Sequence, residues 1–243
     1  MNIYHLSHID LDGYGCQYLV NACFSENSEY KLESYNANYG PEVKARLEEI
    51  ITNINREKFV GNDSEHLILV TDLNLTTKEA RWLEEQAINI GAKIQLLDHH
   101  GSGEKTAEQY AWYYLDTKRC ATLITYEWLK KHYLFDEENE YAQIVKAINA
   151  IDIWVSDDKL FECGKVGLGM ISGSKEINRT LFPNNDRAYK LSLIDAMKVY
   201  TLKEDAHIAL DNDLHQIRKS FFLKDMDNTK DNLAAMYVTE LLS

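Results

Sequence analysis

No stretch of the sequence strings together the roughly 20 apolar residues that a membrane-spanning helix needs. The N-terminus also lacks the basic and then apolar layout of a secretory signal. Cysteine is scarce and scattered: Cys16, Cys23, Cys120 and Cys163 form no CxxC pair, which excludes a zinc ribbon and a disulfide framework and leaves four ordinary reduced thiols. These absences predict a cytosolic protein with no membrane partner. Positive charge is short as well. With 26 basic against 39 acidic residues the formal charge is −13, which repels a long nucleic-acid duplex. There is no internal repeat and no low-complexity tract. What is present suffices for a sizeable core: 45% of the 243 residues are hydrophobic, with 15 Tyr and 4 Trp. The length suits one complete domain plus an appendage. The acidity has two readings, carboxylates gathered around divalent cations or solvated helix surface.

Hydrophobic periodicity lays out alternating strands and helices. "NIYHLSHI" (2–9) reads as a buried strand, and "GYGCQYLVNACF" (13–24) as a helix after a glycine-rich turn. Residues 30–36 alternate as a second strand. Residues 40–58 form a helix with Pro just inside its start, 65–73 a continuous apolar strand, 76–91 a helix opening on Thr and closing on Gly, and 92–100 another strand. This order predicts an α/β fold, a parallel sheet with helices on both faces, whose ligands bind beyond the carboxyl ends of the strands. An edge strand at 110–116 and mainly helical patterns to about 151 follow. The Gly-rich stretch 160–183 reads as a loop or irregular segment. Residues 202–225 read as one long amphipathic linker helix, followed by a strand-like end. The expected division is a catalytic domain over 1–190, then a linker helix and C-terminal segment over 191–243, with a second, substrate-binding domain absent or truncated. The apolar face of the linker helix could serve that domain or a twin subunit, so a homodimer is one expectation for the assembly.

Four sets of ligand-capable residues fall at the ends of these elements: His8, Asp10 and Asp12 after the first strand, Asp72 after "LILVT", Asp98, His99 and His100 after "KIQLL", and Asp152 in "NAIDIW". Strand ends converge at one rim of a parallel sheet. Several buried carboxylates are tolerable together when divalent cations neutralise them, and mixed His and carboxylate donors favour manganese, iron or zinc while leaving magnesium open. Taken singly, an Asp at a strand end is as readily a helix cap, and Gly13 and Gly15 either admit a phosphate or simply turn the chain. Asn74 and Arg119, close to these motifs, are candidates for substrate contact or for capping and surface roles.

The ordered set resembles the DHH phosphoesterase superfamily over residues 1 to about 155, with "SHIDLDG", "TDLN", "DHHG" and "NAIDIW" as its four motifs. The resemblance implies two divalent ions, manganese first with magnesium or cobalt as alternatives. His8, Asp10 and Asp72 would hold one, and Asp12, Asp72, His99 and Asp152 the other, with Asp72 shared. It places His100 beside the phosphate as acid or hydrogen-bond donor and Asp98 behind a histidine. The implied reaction is in-line attack on phosphorus by a water that the two metals activate.

"DLDGYGC" is similar to the oligoribonuclease and cyclic-nucleotide phosphodiesterase branch, which implies a short nucleotide or oligoribonucleotide substrate, such as a linear dinucleotide. A pyrophosphatase of the superfamily has a longer gap in its first motif and a basic C-terminal signature, both missing here. A single-strand exonuclease needs a basic, aromatic-lined channel that the acidity disfavours. No "GGGH"-like run is present. Two alternatives of another class remain: a non-catalytic nucleotide-binding regulatory module, against which six intact ligands argue, and a dinucleotide dehydrogenase, for which "DGYGCQ" lacks the third glycine.

Overall fold

Strands β1 (Asn2–Ser7) and β3 (His66–Thr71) are buried at every residue, as the central strands of a sheet covered on both faces are. With β2 (Lys31–Asn36), β4 (Ala92–Asp98) and β5 (Tyr113–Leu115) they form a parallel sheet in the order β2-β1-β3-β4-β5. The computed structural model describes residues 1–61, 64–136, 138–172 and 183–201. The chain divides into two units, Met1–Glu140 and Tyr141–Ser243.

In the first unit, strand order reverses between β1 and β3. The chain leaves β1 toward β2 through α1 (Leu11–Phe24), then returns past β1 through α2 (Pro41–Phe59) to β3. Right-handed crossovers in opposite directions put these helices on opposite faces. Accordingly α1 packs against α5 (Ala121–Tyr133), while α2 packs against α3 (Thr77–Ile90). Alternate strand residues Tyr4, Leu6, Ile68, Val70 and Leu96 meet Val43, Leu47, Ile50 and Leu83 in one core. The intervening positions carry a buried polar chain on the other face: His5 Nε2 lies 2.9 Å from Thr71 Oγ1, which donates to Ser7 Oγ at 2.7 Å, which donates to the Gly13 carbonyl at 2.8 Å. A short helix α4 (Glu104–Ala107) precedes β5.

Local chemistry sets the ends of α3. Thr76 and Glu79 form a capping box at its start, and Gly91 closes it in the left-handed region at φ 60°. The glycine-rich segment before residue 16 differs from expectation. Helix α1 already begins at Leu11, so Gly13 stands in its first turn rather than in a turn ahead of it. A Cβ at Gly13 would collide with the His8 carbonyl, so its role is to let the helix start press on the strand end.

The second unit holds α6 (Ala142–Asp152), α7 (Phe161–Ser172) and α8 (Pro183–Tyr200). The loop expected over 160–183 is corrected at α7. Gly164 in this helix is a packing residue: a Cβ there would strike the Ala147 carbonyl and the Ile151 side chain, so the missing side chain lets α7 cross α6 closely. Residue 190, taken from sequence as the end of the catalytic domain, lies inside α8. The expected linker helix over 202–225 and the strand-like end lie outside the described residues. Among the described residues no helix is long and apolar enough to cross a membrane.

Candidate metal centre

Strand register brings the motif residues together. Ser7 pairs with Asn36 and Thr71, and Thr71 pairs with Leu97, so His8, Asp72 and Asp98 leave the sheet side by side at its carboxyl rim. That rim at the β1/β3 reversal is where open parallel sheets place their ligands. Asp72 stops β3 in the left-handed region, φ 56°, a conformation that Asp tolerates better than most residues, while its N–H stays on the Leu97 carbonyl at 3.0 Å.

The Asp72 carboxylate is 1% exposed, and its two oxygens face different partners. Oδ2 lies 3.6 Å from His8 Nδ1, and Oδ1 lies 3.4 Å from His99 Nε2 and 4.0 Å from His100 Nδ1. On the first side Asp10 caps α1, accepting the Gly13 N–H at 3.0 Å, and its other oxygen lies 3.0 Å from His8 Nδ1. On the second side Asp12 Oδ2 lies 3.6 Å from His99 Nε2. Asp12 has a further duty that its place in the motif does not announce: its oxygens accept the N–H groups of Ala121 and Thr122 at 2.7 and 2.8 Å, which joins the start of α1 to the start of α5. A helix N-terminus favours such a charge.

Electrostatics mark the cluster as short of positive charge. Burial, followed by the charges of Asp12 and Asp10, pushes the Asp72 carboxyl well above the usual range. Burial would lower the His8 imidazole, yet the Asp10 and Asp72 carboxylates outweigh it and lift His8 to about 10. Burial likewise opposes charge on Asp10, but the His8 hydrogen bond and charge prevail and hold it at about 2. Asp72 Oδ2 has no hydrogen-bond partner among the described residues. A buried carboxylate oxygen left bare, with ligand atoms of His8, Asp10 and Asp72 within 4.8 Å of one another and those of Asp72, His99 and His100 equally close, fits divalent cations.

Asp98 stands behind this group. Its Oδ1 accepts from the His100 main-chain N–H at 3.2 Å and lies 2.7 Å from His100 Nδ1, and its Oδ2 accepts from the Tyr113 hydroxyl at 2.8 Å. Gly103 makes room for the last bond, since a Cβ there would strike the Tyr113 hydroxyl.

Of the residues singled out from sequence, the first unit gathers His8, Asp10, Asp12, Asp72, His99 and His100. Asp152 closes α6 of the second unit. Asn74 donates to Ser102 Oγ at 3.0 Å. Arg119 is bound to Asp116, Glu127 and Tyr114, and lines a cavity of about 340 Å³ together with Gln95, Trp128 and Lys131. Sequence reading missed Tyr39, whose ring lies 4.3 Å from that of His8 and whose hydroxyl is 2.8 Å from His100 Nε2. The available signal was its position: the loop after β2 opens on the same rim as the motifs.

No protein-family model matches the chain. A Helicobacter pylori protein named 3',5'-cyclic-nucleotide phosphodiesterase is 46% identical over 252 residues, spanning 100% of this chain and 70% of that protein. Among solved structures, an uncharacterized protein from Helicobacter pylori G27 aligns with a TM-score of 0.85 at 42% identity, over 100% of this chain and 70% of that one. The DHH domain of a member of the s1p family of ribosomal proteins aligns over 90% of this chain and 56% of that one with a TM-score of 0.53 at 16% identity, a likeness of fold.

Proposed function

The chain belongs to the DHH superfamily of phosphoesterases, and we propose that it hydrolyses a short nucleotide phosphodiester, a 3',5'-cyclic nucleotide or a linear dinucleotide, using two divalent cations. One observation carries this reading: a buried carboxylate, Asp72, whose oxygens divide between His8 on one side and His99 on the other. In the proposal His8, Asp10 and Asp72 hold one cation, and Asp12, Asp72 and His99 the second. Manganese suits these donors best, with magnesium or cobalt as alternatives. Bound divalent cations supply charge neutralisation at phosphoryl oxygens and a water acidic enough to act as nucleophile near neutral pH.

The chain's own residues do the rest. Asp98 holds His100 by Nδ1, so the Nε2 edge is the one turned to the substrate, where a proton on that atom serves the departing oxygen. Tyr113 fixes Asp98 in turn. The N–H groups at the start of α5 fix the Asp12 carboxylate in place at the rim. A substrate of short length, not a long duplex, suits a chain of formal charge −13.

The test is hydrolysis of cyclic AMP, a 5′-phosphorylated adenine dinucleotide and pyrophosphate, with manganese and then magnesium, by the wild type and His99→Ala. We expect manganese-dependent cleavage of a diester and a loss of at least about 100-fold in the variant. A folded protein that binds manganese and cleaves neither diester would defeat the reading, and cleavage of pyrophosphate alone would move the chain to another branch of the superfamily.

A further inference from the structure

The loop between β2 and α2 delivers Tyr39 to the rim beside the switch point. Its ring leans on His8, at 4.3 Å between centroids, and its hydroxyl reaches across to His100 Nε2 at 2.8 Å. One side chain therefore spans the group around His8 and Asp10 and the group around His99 and His100. The loop is built to hold it: the Tyr39 N–H donates to Asn38 Oδ1 at 2.9 Å, the Asn38 N–H donates to Glu42 Oε2 at 3.0 Å, and Gly40 turns the chain at φ 83°. Tyr39 is nonetheless 41% exposed, so the group can be reached from solvent.

His100 is held at both ring nitrogens, by Asp98 at Nδ1 and by Tyr39 at Nε2. A phosphoryl oxygen brought to Nε2 arrives where the Tyr39 hydroxyl now sits. We propose that Tyr39 is a substrate-contacting residue, whose hydroxyl exchanges its bond with His100 for one donated to a phosphoryl oxygen while its ring stays on His8. The inference rests on the phosphoester reading of the site. Physically, an anionic phosphate entering a group of four aspartates needs donors that bring no negative charge. A phenol suits that need, because with an ordinary pKa of about 10 it is a neutral O–H donor at neutral pH.

Tyr39→Phe keeps the ring and removes the hydroxyl. The experiment is calorimetric titration of inorganic phosphate into the manganese-loaded protein, wild type and Tyr39→Phe, each also in a His100→Ala background, with manganese stoichiometry measured alongside. Direct contact predicts phosphate binding weakened about tenfold by Tyr39→Phe in both backgrounds, with manganese binding unchanged. Steady-state kinetics on the cleaved diester should show the same loss in kcat/KM. Equal phosphate affinity in wild type and Tyr39→Phe overturns the proposal and leaves the phosphoesterase reading standing. A loss seen with His100 present and absent in His100→Ala also overturns it, because the hydroxyl would then act through the histidine. So does complete loss of phosphate binding in His100→Ala alone. A wild type that binds manganese and no phosphate defeats both.

Discussion

Asp72 concentrates the conflict that the site is built around. It ends a buried strand in a left-handed turn, exposes almost nothing to water, faces three histidines and stands near two further aspartates. Without a cation, its charge is a net cost to the fold, because burial and like charge both oppose ionisation. Its carboxyl is raised above the unfolded value, so the metal-free protein loses stability as pH rises past the ordinary carboxylate range toward the raised folded value. Asp72→Asn removes the charge and keeps the shape, and Asn accepts the left-handed turn. We expect metal-free Asp72→Asn to melt higher than the metal-free wild type, with each kcal/mol gained worth about 2–4 °C at this size. Manganese should raise the wild-type midpoint and move the variant far less. A lower melting point for the metal-free variant would show that the carboxylate stabilises the fold on its own. This residue was legible in sequence only as a member of an ordered set, between HxDxD and DHH, since an Asp at a strand end taken singly is as readily a cap. Tyr39 was not, since nothing in "NANYG" distinguishes a tyrosine that crosses a site from one on a loop surface.

At the scale of elements, the parallel strands were the readable part. A continuous apolar run set β3, a buried strand pattern set β1, and turn chemistry set the ends of α3, so the rim where His8, Asp72 and Asp98 meet followed from order alone. The glycines misled. Gly13 and Gly164 read as turn signals, yet both lie inside helices, where the missing Cβ allows a contact with a distant segment that no local pattern encodes. The clasp of Asp12 on the start of α5 was hidden for the same reason, its partners being over a hundred residues away. The other end of the sheet carries a liability of its own. His66 opens β3, is 1% exposed, and neither ring nitrogen has a hydrogen-bond partner among the described residues. Burial first, then the nearby cations Lys58, the N-terminus and Lys31, lower its pKa despite the opposing Glu57. A depressed imidazole contributes no penalty while both states are neutral. As pH falls through the unfolded value of about 6.5, the unfolded chain takes up a proton that the folded one refuses, and stability declines. Denaturant midpoints measured from pH 8 to pH 5 should fall for the wild type, and less steeply for His66→Phe. Identical slopes would assign the acid sensitivity elsewhere.

For the whole molecule, charge acts against the proposed chemistry at long range and in favour of it at short range. The chain carries −13, and two divalent cations would bring it to −13 + 4 = −9, so an anionic dinucleotide still approaches a repelling body. Within the proposed site the balance would reverse, because the cations and neutral donors would stand closest to the phosphate. Screening separates the two scales. The Debye length shrinks from about 30 Å at 0.01 M to about 8 Å at 0.15 M, which removes most of the distant repulsion while contacts of hydrogen-bond length persist. The kcat/KM for a 5′-phosphorylated dinucleotide should therefore rise with monovalent salt across that range, the reverse of an enzyme that draws nucleic acid in by a basic surface. The gain should be largest for the substrate with most negative charge, and cyclic AMP, with one, should respond least. Initial rates below saturation at the two salt concentrations are the measurement. A kcat/KM that falls with salt would mean that positive potential around the rim outweighs the total charge, and would make the basic side chains there the next to be substituted.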